Sequence, residues 1–213
     1  MNSSHVIVLP GGGYGMLSDN EREIVADRLR SLGLSASIFD YPVQARHPAP
    51  LDAVRAEIRR VRSAGAERVA LLGFSAGGHL AGHAALAAGE EADERVDAAV
   101  LCYPVVSMEL ATHRGSQDEL LGPDAGGELR AATSLDRLVT ADAPPFFIWH
   151  TAADEAVPVQ HAYLLAQALA AHFVPHALHV FTEGEHGLGL AEGQGAAEQW
   201  IRLAAEWLQA RGW

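Results

Sequence analysis

The sequence predicts an α/β protein: a mostly parallel sheet of about six strands with helices on both faces. Two observations carry this. Short, nearly continuous apolar runs recur along the chain, as they must in strands covered on both sides. Longer amphipathic stretches separate them, and alternating strands and helices imply right-handed crossovers between parallel strands. At 213 residues, 49% hydrophobic and 20% charged, the chain fits one domain, 1–213, with a substantial core.

The strand candidates are "HVIVLP" (5–10), "SASIFDY" (35–41), "RVALLGF" (68–74), "DAAVLCYP" (97–104), "PFFIWH" (145–150) and "HALHVF" (176–181). Ser18 and Glu21 have capping-box spacing before a helix whose apolar face holds Ile24, Val25, Leu29 and Leu32, and Gly33 ends it. Leu51, Val54, Ile58 and Val61 mark a second helix. A third begins just after Ser75. A fourth carries Leu164, Leu165, Ala168 and Leu169, and a fifth Trp200, Ala204, Trp207 and Leu208. Residues 105–143 break the rhythm. They hold no clear strand, and "RGSQDELLGPDAGGEL" predicts a lid-like insertion with one or two short helices near 116–121 and 126–138.

Charge narrows the function. A net charge of −12 argues against nucleic acid, which needs a basic face, and against anionic membranes. No apolar run reaches membrane-spanning length. The single cysteine, Cys102, excludes an internal disulfide and sits in an apolar strand as a small core residue. The start, "MNSSHVIVLPGGG", has no basic segment and too short an apolar run for a signal peptide, so a cytoplasmic location is expected. Homo-oligomerisation is left open.

Four local patterns carry chemistry. Gly73-Phe74-Ser75-Ala76-Gly77 fits G-x-S-x-G between a strand and a helix. A nucleophilic serine there must project from a strained turn, and small residues two before and two after let neighbouring backbones approach. The helix that follows aims its N-terminus at the developing negative charge. The same glycines would also serve a tight turn with no chemistry. "LPGGGYG" (9–15) follows the first strand and lacks the G-x-G-x-x-G and P-loop patterns of nucleotide binding. Its glycines suit backbone donors, so the N–H groups of Gly12, Gly13 and Ala76 are the expected oxyanion hole. "WHTAADEAVP" (149–158) puts Asp154 at the C-terminal end of a strand, where open α/β sheets place their sites, with Glu155 adjacent as the alternative acid. "EGEHG" (183–187) places His186 in the loop after the last strand, as general base. The order serine, acid, histidine is that of the α/β-hydrolase triad.

With these motifs in place, the chain resembles the α/β-hydrolase superfamily, and within it the bacterial esterase/lipase group that includes acetyl-xylan-esterase-like enzymes. "PGGGYG", "YPVQARHPAPLDAVR", "LLGFSAGGHLA", "PPFFIWHTAADEAVP" and "GEHGLGLA" carry the likeness over nearly the whole chain. The resemblance implies Ser75 as nucleophile, Asp154 as acid and His186 as base, with Gly12, Gly13 and Ala76 at the oxyanion-hole positions. It implies hydrolysis of a small-molecule ester, acetyl foremost and with acetylated sugars among the candidate substrates, without metal or organic cofactor. Two departures stand out. Pro10 replaces the histidine that many relatives carry before the glycines, and the chain begins almost at the glycine-loop strand, so six strands are expected where a full sheet has eight.

Two other readings stay open: a serine peptidase of the same fold, for which the chain offers no extra peptide-selecting domain, and a non-catalytic binding protein, against which all three triad side chains count. His79 and His83 have metal-ligand spacing but no third ligand, and Leu80 stands where H-E-x-x-H has glutamate. His79 is therefore expected to support the elbow, and His150 to brace the Asp154 loop. Trp200 and Trp207 are expected in the helical core.

Overall fold

The computed structural model describes residues 3–87, 89, 91–110 and 112–213. Its strands are β1 (Ser4–Leu9), β2 (Ala36–Ile38), β3 (Arg68–Phe74), β4 (Ala98–Cys102), β5 (Phe146–Thr151) and β6 (His176–Phe181). They form one parallel sheet in the order β2-β1-β3-β4-β5-β6. The helices are α1 (Glu23–Ser31), α2 (Ala49–Ser63), α3 (Ser75–Leu86), α4 (Arg114–Leu121), α5 (Gly127–Ala132), α6 (Leu135–Leu138), α7 (Gln160–Ala171) and α8 (Trp200–Gln209).

Strand periodicity sorts the sheet's side chains into two cores. Ile7, Leu9, Val69, Leu71, Leu101 and Ile148 pack with α2, α3 and α7 on one face. Val6, Val8, Ala70, Leu72, Val100 and Trp149 pack with α1 and α8 on the other. Every one of these is fully buried, and burying a Val, Leu or Ile side chain is worth about 1.5–3 kcal/mol. Both neighbours of each central strand are strands, and both its faces are covered, which is why those segments are apolar without alternation. The edges are weaker: β2 is three residues long, and all six residues of β6 are half-buried.

The expectations need four adjustments. Ser18 and Glu21 do not form a capping box. The Ser18 side chain makes no cap hydrogen bond, Asp19–Glu21 is a 3-10 turn, and α1 begins only at Glu23. Glu21 is buried in the interior instead. Ile24 is 50% exposed, because the α1 stripe that meets the sheet is Val25, Ala26 and Leu29. Trp200 is fully buried, whereas Trp207 is half-buried, its ring covered by Arg211 at 4.0 Å. The stretch 105–143 holds three helices, α4 to α6, and Val105, Val106, Met108, Leu120 and Leu135 from it belong to the α2–α3–α7 core. Gly82 of α3 makes room for this: a Cβ there would meet Leu135 Cδ1 at 2.5 Å.

Candidate active site

The site stands at the C-terminal ends of β1, β3, β5 and β6. At the end of β3 the chain turns sharply into α3, and Ser75 takes φ 51°, a left-handed conformation that costs a non-glycine residue energy. The flanking glycines are imposed by contact. A Cβ on Gly73 would lie 2.2 Å from the Gly77 carbonyl oxygen, and one on Gly77 would lie 2.3 Å from those of Leu9 and Pro10. The strain raises the Ser75 side chain out of the sheet at the N-terminus of α3, whose first N–H groups have no acceptor inside the helix.

Asp154 lies just past β5 and is 5% exposed. Its Oδ1 accepts the N–H groups of Ala156 and Val157 at 3.0 and 2.9 Å, which fixes the plane of the carboxylate. Its Oδ2 lies 2.6 Å from His186 Nδ1, and His186 Nε2 lies 2.7 Å from Ser75 Oγ. A carboxylate only accepts, so Nδ1 carries the proton and Nε2 accepts from the serine hydroxyl. Burial pushes the Asp154 carboxyl up, but the bonds from His186 and Val157 outweigh it and hold it below the usual aspartate value. The structure thus brings Ser75, His186 and Asp154 into one hydrogen-bonded line. Glu155 is exposed and lines the groove beside His186, away from that line.

The glycine loop after β1 closes over the serine. A Cβ on Gly11 would sit 3.1 Å from that of Ser75. Gly12 has φ 119°, and a Cβ there would meet the Met16 carbonyl oxygen at 2.2 Å, so only glycine fits. Gly11 donates its N–H to Glu21 Oε2, whereas the N–H groups of Gly12 and Gly13 have no protein acceptor among the described residues. His113, from the 105–143 stretch, lies against Gly13: a Cβ on that glycine would meet the imidazole Cε1 at 3.3 Å.

His79, His83 and His150 stand outside the Ser75–His186–Asp154 line. His79 donates from Nε2 to the Thr133 carbonyl at 2.7 Å, so its Nδ1 accepts the Tyr14 hydroxyl, also at 2.7 Å. With both nitrogens engaged it ties the glycine loop to the end of α5. His83 stacks on His47, ring centroids 5.4 Å apart. Among the described residues no three His, Cys, Asp or Glu side chains are arranged to hold a metal ion. His150 is buried 4.0 Å from Asp154, and burial pushes it down to about 4, against the pull of that carboxylate. Cys102 is buried and its thiol is driven well up by burial, which leaves it inert.

Several residues that hold the site carry no motif. Asn20 Nδ2 donates to the Gly187 carbonyl at 2.9 Å, Trp200 Nε1 to that of Gly189 at 3.0 Å, and Tyr103 takes the Gly189 N–H at 2.8 Å. His161 Nδ1 accepts the N–H groups of Val106 and Ser107, pinning the start of the 105–143 stretch to α7. Apart from Trp200 and Gly189, the partners are remote in sequence, so no local spacing reveals the pairs. A groove of about 480 Å³ opens beside His186, lined by Ala153, Glu155, Ala156, Glu185 and His186. Among the described residues no helix is long and apolar enough to cross a membrane.

Comparison with known proteins extends the geometry. A solved acetyl ester-xyloside bifunctional hydrolase from Caldicellulosiruptor lactoaceticus superposes with a TM-score of 0.93 at 38% identity, over 99% of this chain and 84% of that one. Among curated proteins, endo-1,4-beta-xylanase B of Butyrivibrio fibrisolvens is 32% identical over 89% of this chain and 33% of its own length. An acetylxylan esterase of Xylanibacter ruminicola is 27% identical over 96% of this chain and 45% of its own. The chain therefore spans less than half the length of the curated relatives it matches. The sequence pattern of the prolyl oligopeptidase family, Peptidase_S9, matches residues 51–211, three-quarters of the chain and all three members of the Ser75–His186–Asp154 line. With an all-parallel sheet, a strained serine elbow and that match, the chain belongs to the prolyl oligopeptidase family and has the α/β-hydrolase fold.

Proposed function

We propose that the chain is a serine hydrolase of small carboxylic esters, acetyl esters above all, including acetyl groups on sugars. The observation that carries the reading is the unbroken line from Ser75 Oγ through His186 to buried Asp154. In this reading His186 Nε2 takes the Ser75 proton as Oγ bonds to the substrate carbonyl carbon. The carbonyl oxygen becomes an oxyanion held by the N–H groups of Gly12, Gly13 and Ala76, donors already free of protein acceptors or at a helix start. Asp154 keeps the imidazole in one tautomer and offsets its positive charge. The imidazolium returns the proton to the departing alcohol, and water then repeats the sequence on the acyl-serine. No step calls for a metal or organic cofactor.

Substrate polarity rests on the neighbours of the site. The groove beside His186 presents Glu155 and Glu185, acceptors suited to hydroxyl groups of an alcohol such as a sugar. The solved hydrolase named for acetyl esters and xylosides, and the curated acetylxylan esterase, support the same class. A cytoplasmic location belongs to this proposal and rests on a lone buried cysteine that needs no oxidising compartment. The family's own name favours amide substrates as a second reading.

A panel of p-nitrophenyl esters, acetylated sugars and peptide p-nitroanilides, with fluorophosphonate labelling, tests the assignment. We expect Ser75 to be labelled and kcat/KM to fall steadily from acetate to octanoate. Each buried methylene is worth about 0.8 kcal/mol only where there is room for it. Faster cleavage of the anilides, or a preference for octanoate, would replace the acetyl-esterase reading with a peptidase or a lipase. No labelling would leave a binding protein.

A further inference from the structure

The glycine loop and the His186 loop meet at one buried carboxylate. Glu21 is 1% exposed, and among the described residues no basic side chain pairs with it. Its Oε2 accepts the Gly11 N–H at 2.7 Å. Its Oε1 accepts the Tyr103 hydroxyl at 2.6 Å, and the same hydroxyl oxygen accepts the Gly189 N–H at 2.8 Å. The Tyr103 ring stands edge-on to the His186 imidazole, centroids 5.0 Å apart. Tyr103 itself has φ 36°, a strained conformation that points its ring under the site. A continuous chain of hydrogen bonds thus runs from the residue preceding Gly12 to the loop three residues beyond His186.

An uncharged side chain could tie two loops together more cheaply. Burying a carboxylate without a cationic partner costs several kcal/mol, so the charge needs a reason. His186 supplies one, because it becomes an imidazolium each time Ser75 is deprotonated. We propose that Glu21 is a positioning residue of the hydrolytic site: it fixes the Gly12–Gly13 donors and the His186 loop together, and its negative charge stabilises the His186 imidazolium. The role rests on the Ser75–His186–Asp154 reading above. Burial pushes the Glu21 carboxyl above its usual value, and the bonds from Tyr103 and Gly11 and the charge of His186 pull it only part of the way back. The attraction is mutual: what His186 does for the carboxylate, the carboxylate does for the imidazolium.

Glu21→Gln tests this, since glutamine keeps the shape and can still accept from Gly11 while losing the charge. Hydrolysis of p-nitrophenyl acetate is measured from pH 5 to 9 for both proteins, with thermal unfolding as a control. The other titratable groups around His186, namely Asp154, His150, Tyr103, Glu155 and Glu185, are the same in both. We expect kcat to fall by about tenfold or more, with KM within a factor of about three, because the lost interaction is felt in the charged transition state. The acid limb of kcat/KM should move to lower pH, because an imidazolium without its anion gives up its proton more readily. A purely structural brace would lower the melting temperature and leave the limb where it is; an unmoved limb overturns the proposal whatever happens to stability. If Glu21→Gln does not fold, Tyr103→Phe takes its place. It removes one of the two donors that hold the charge on Glu21, so a smaller shift in the same direction is expected, with an unmoved limb again overturning the role. The two levels separate cleanly. A wild-type protein that hydrolyses esters alongside an indistinguishable Glu21→Gln removes Glu21 alone, whereas a wild-type protein with no turnover and no labelled Ser75 removes the esterase reading and Glu21 with it.

Discussion

His186 and His79 are held in the same way and for opposite ends. Each is bonded at both ring nitrogens within 2.6–2.7 Å, on loops or helices at the same end of the sheet. His186 faces a carboxylate on one side and a hydroxyl on the other, and is partly open to a groove. His79 faces a phenol and a carbonyl, is fully buried, and has no carboxylate against it, so burial pushes it down to about 4. Hydrogen bonding alone therefore does not make a base. The partner must also welcome the proton the ring is meant to take, and solvent must reach it.

The sharpest way to break this contrast is at the serine. Ser75→Ala should leave the fold intact and lower ester turnover on the order of 10⁶-fold, because triad members act as a unit. A loss under tenfold in steady-state kinetics would mean that His186 serves another nucleophile. Next comes the acid. Asp154→Asn should cost about 10⁴ in kcat by releasing the imidazole tautomer, whereas Glu155→Gln, in the exposed groove, should stay within about threefold of wild type. The reverse order would transfer the acid role to Glu155. His79→Ala should instead appear in stability. It strands the Tyr14 hydroxyl and the Thr133 carbonyl, at about 1–3 kcal/mol for each buried group left unpaired. Denaturant titration should register that loss, while the acid limb of the pH–rate profile stays in place; a shifted limb would mean that His79 is coupled to the chemistry. A separate effect is graded with pH. His79, His83 and His150 are pushed down to about 4, 2 and 4 by burial, so the folded protein keeps them neutral while the unfolded chain protonates them below its ordinary value of about 6.5. Their contribution is complete above that pH and shrinks as pH falls from about 6.5 toward about 4. Melting temperatures recorded between pH 7 and 4.5 should decline accordingly, and a flat curve would show that these rings are not neutral when folded.

Much of this site is legible in the sequence because its constraints are local. Gly73 and Gly77 are set two residues either side of Ser75 by backbones that approach closer than any Cβ allows. Asp154 and His186 follow β5 and β6, strands that announce themselves by apolar runs. The second layer is not legible, because its partners are distant. Tyr103 reaches Glu21 across 82 residues and His161 reaches Val106 across 55, and nothing in the intervening composition marks either pair. Glu21 misleads outright: an acid three residues after Ser18 fits a capping box, yet the buried donors of Gly11 and Tyr103 claim its oxygens first. The 105–143 stretch falls between the two. Its helices are foreseeable, but that Leu135 would join the main core depends on room left at Gly82.

The half-buried β6 has a consequence for how the molecule fails. Ser75 sits at the middle of the sheet, flanked by β1 and β4, whereas His186 hangs from an edge strand paired only with β5. Local opening draws first on edges with few buried apolar contacts. A chain that frays at β6 and rezips would lose its base while the elbow and both cores remain whole. The expected consequence is a silent form, with its cores intact and its base displaced, that precedes global unfolding.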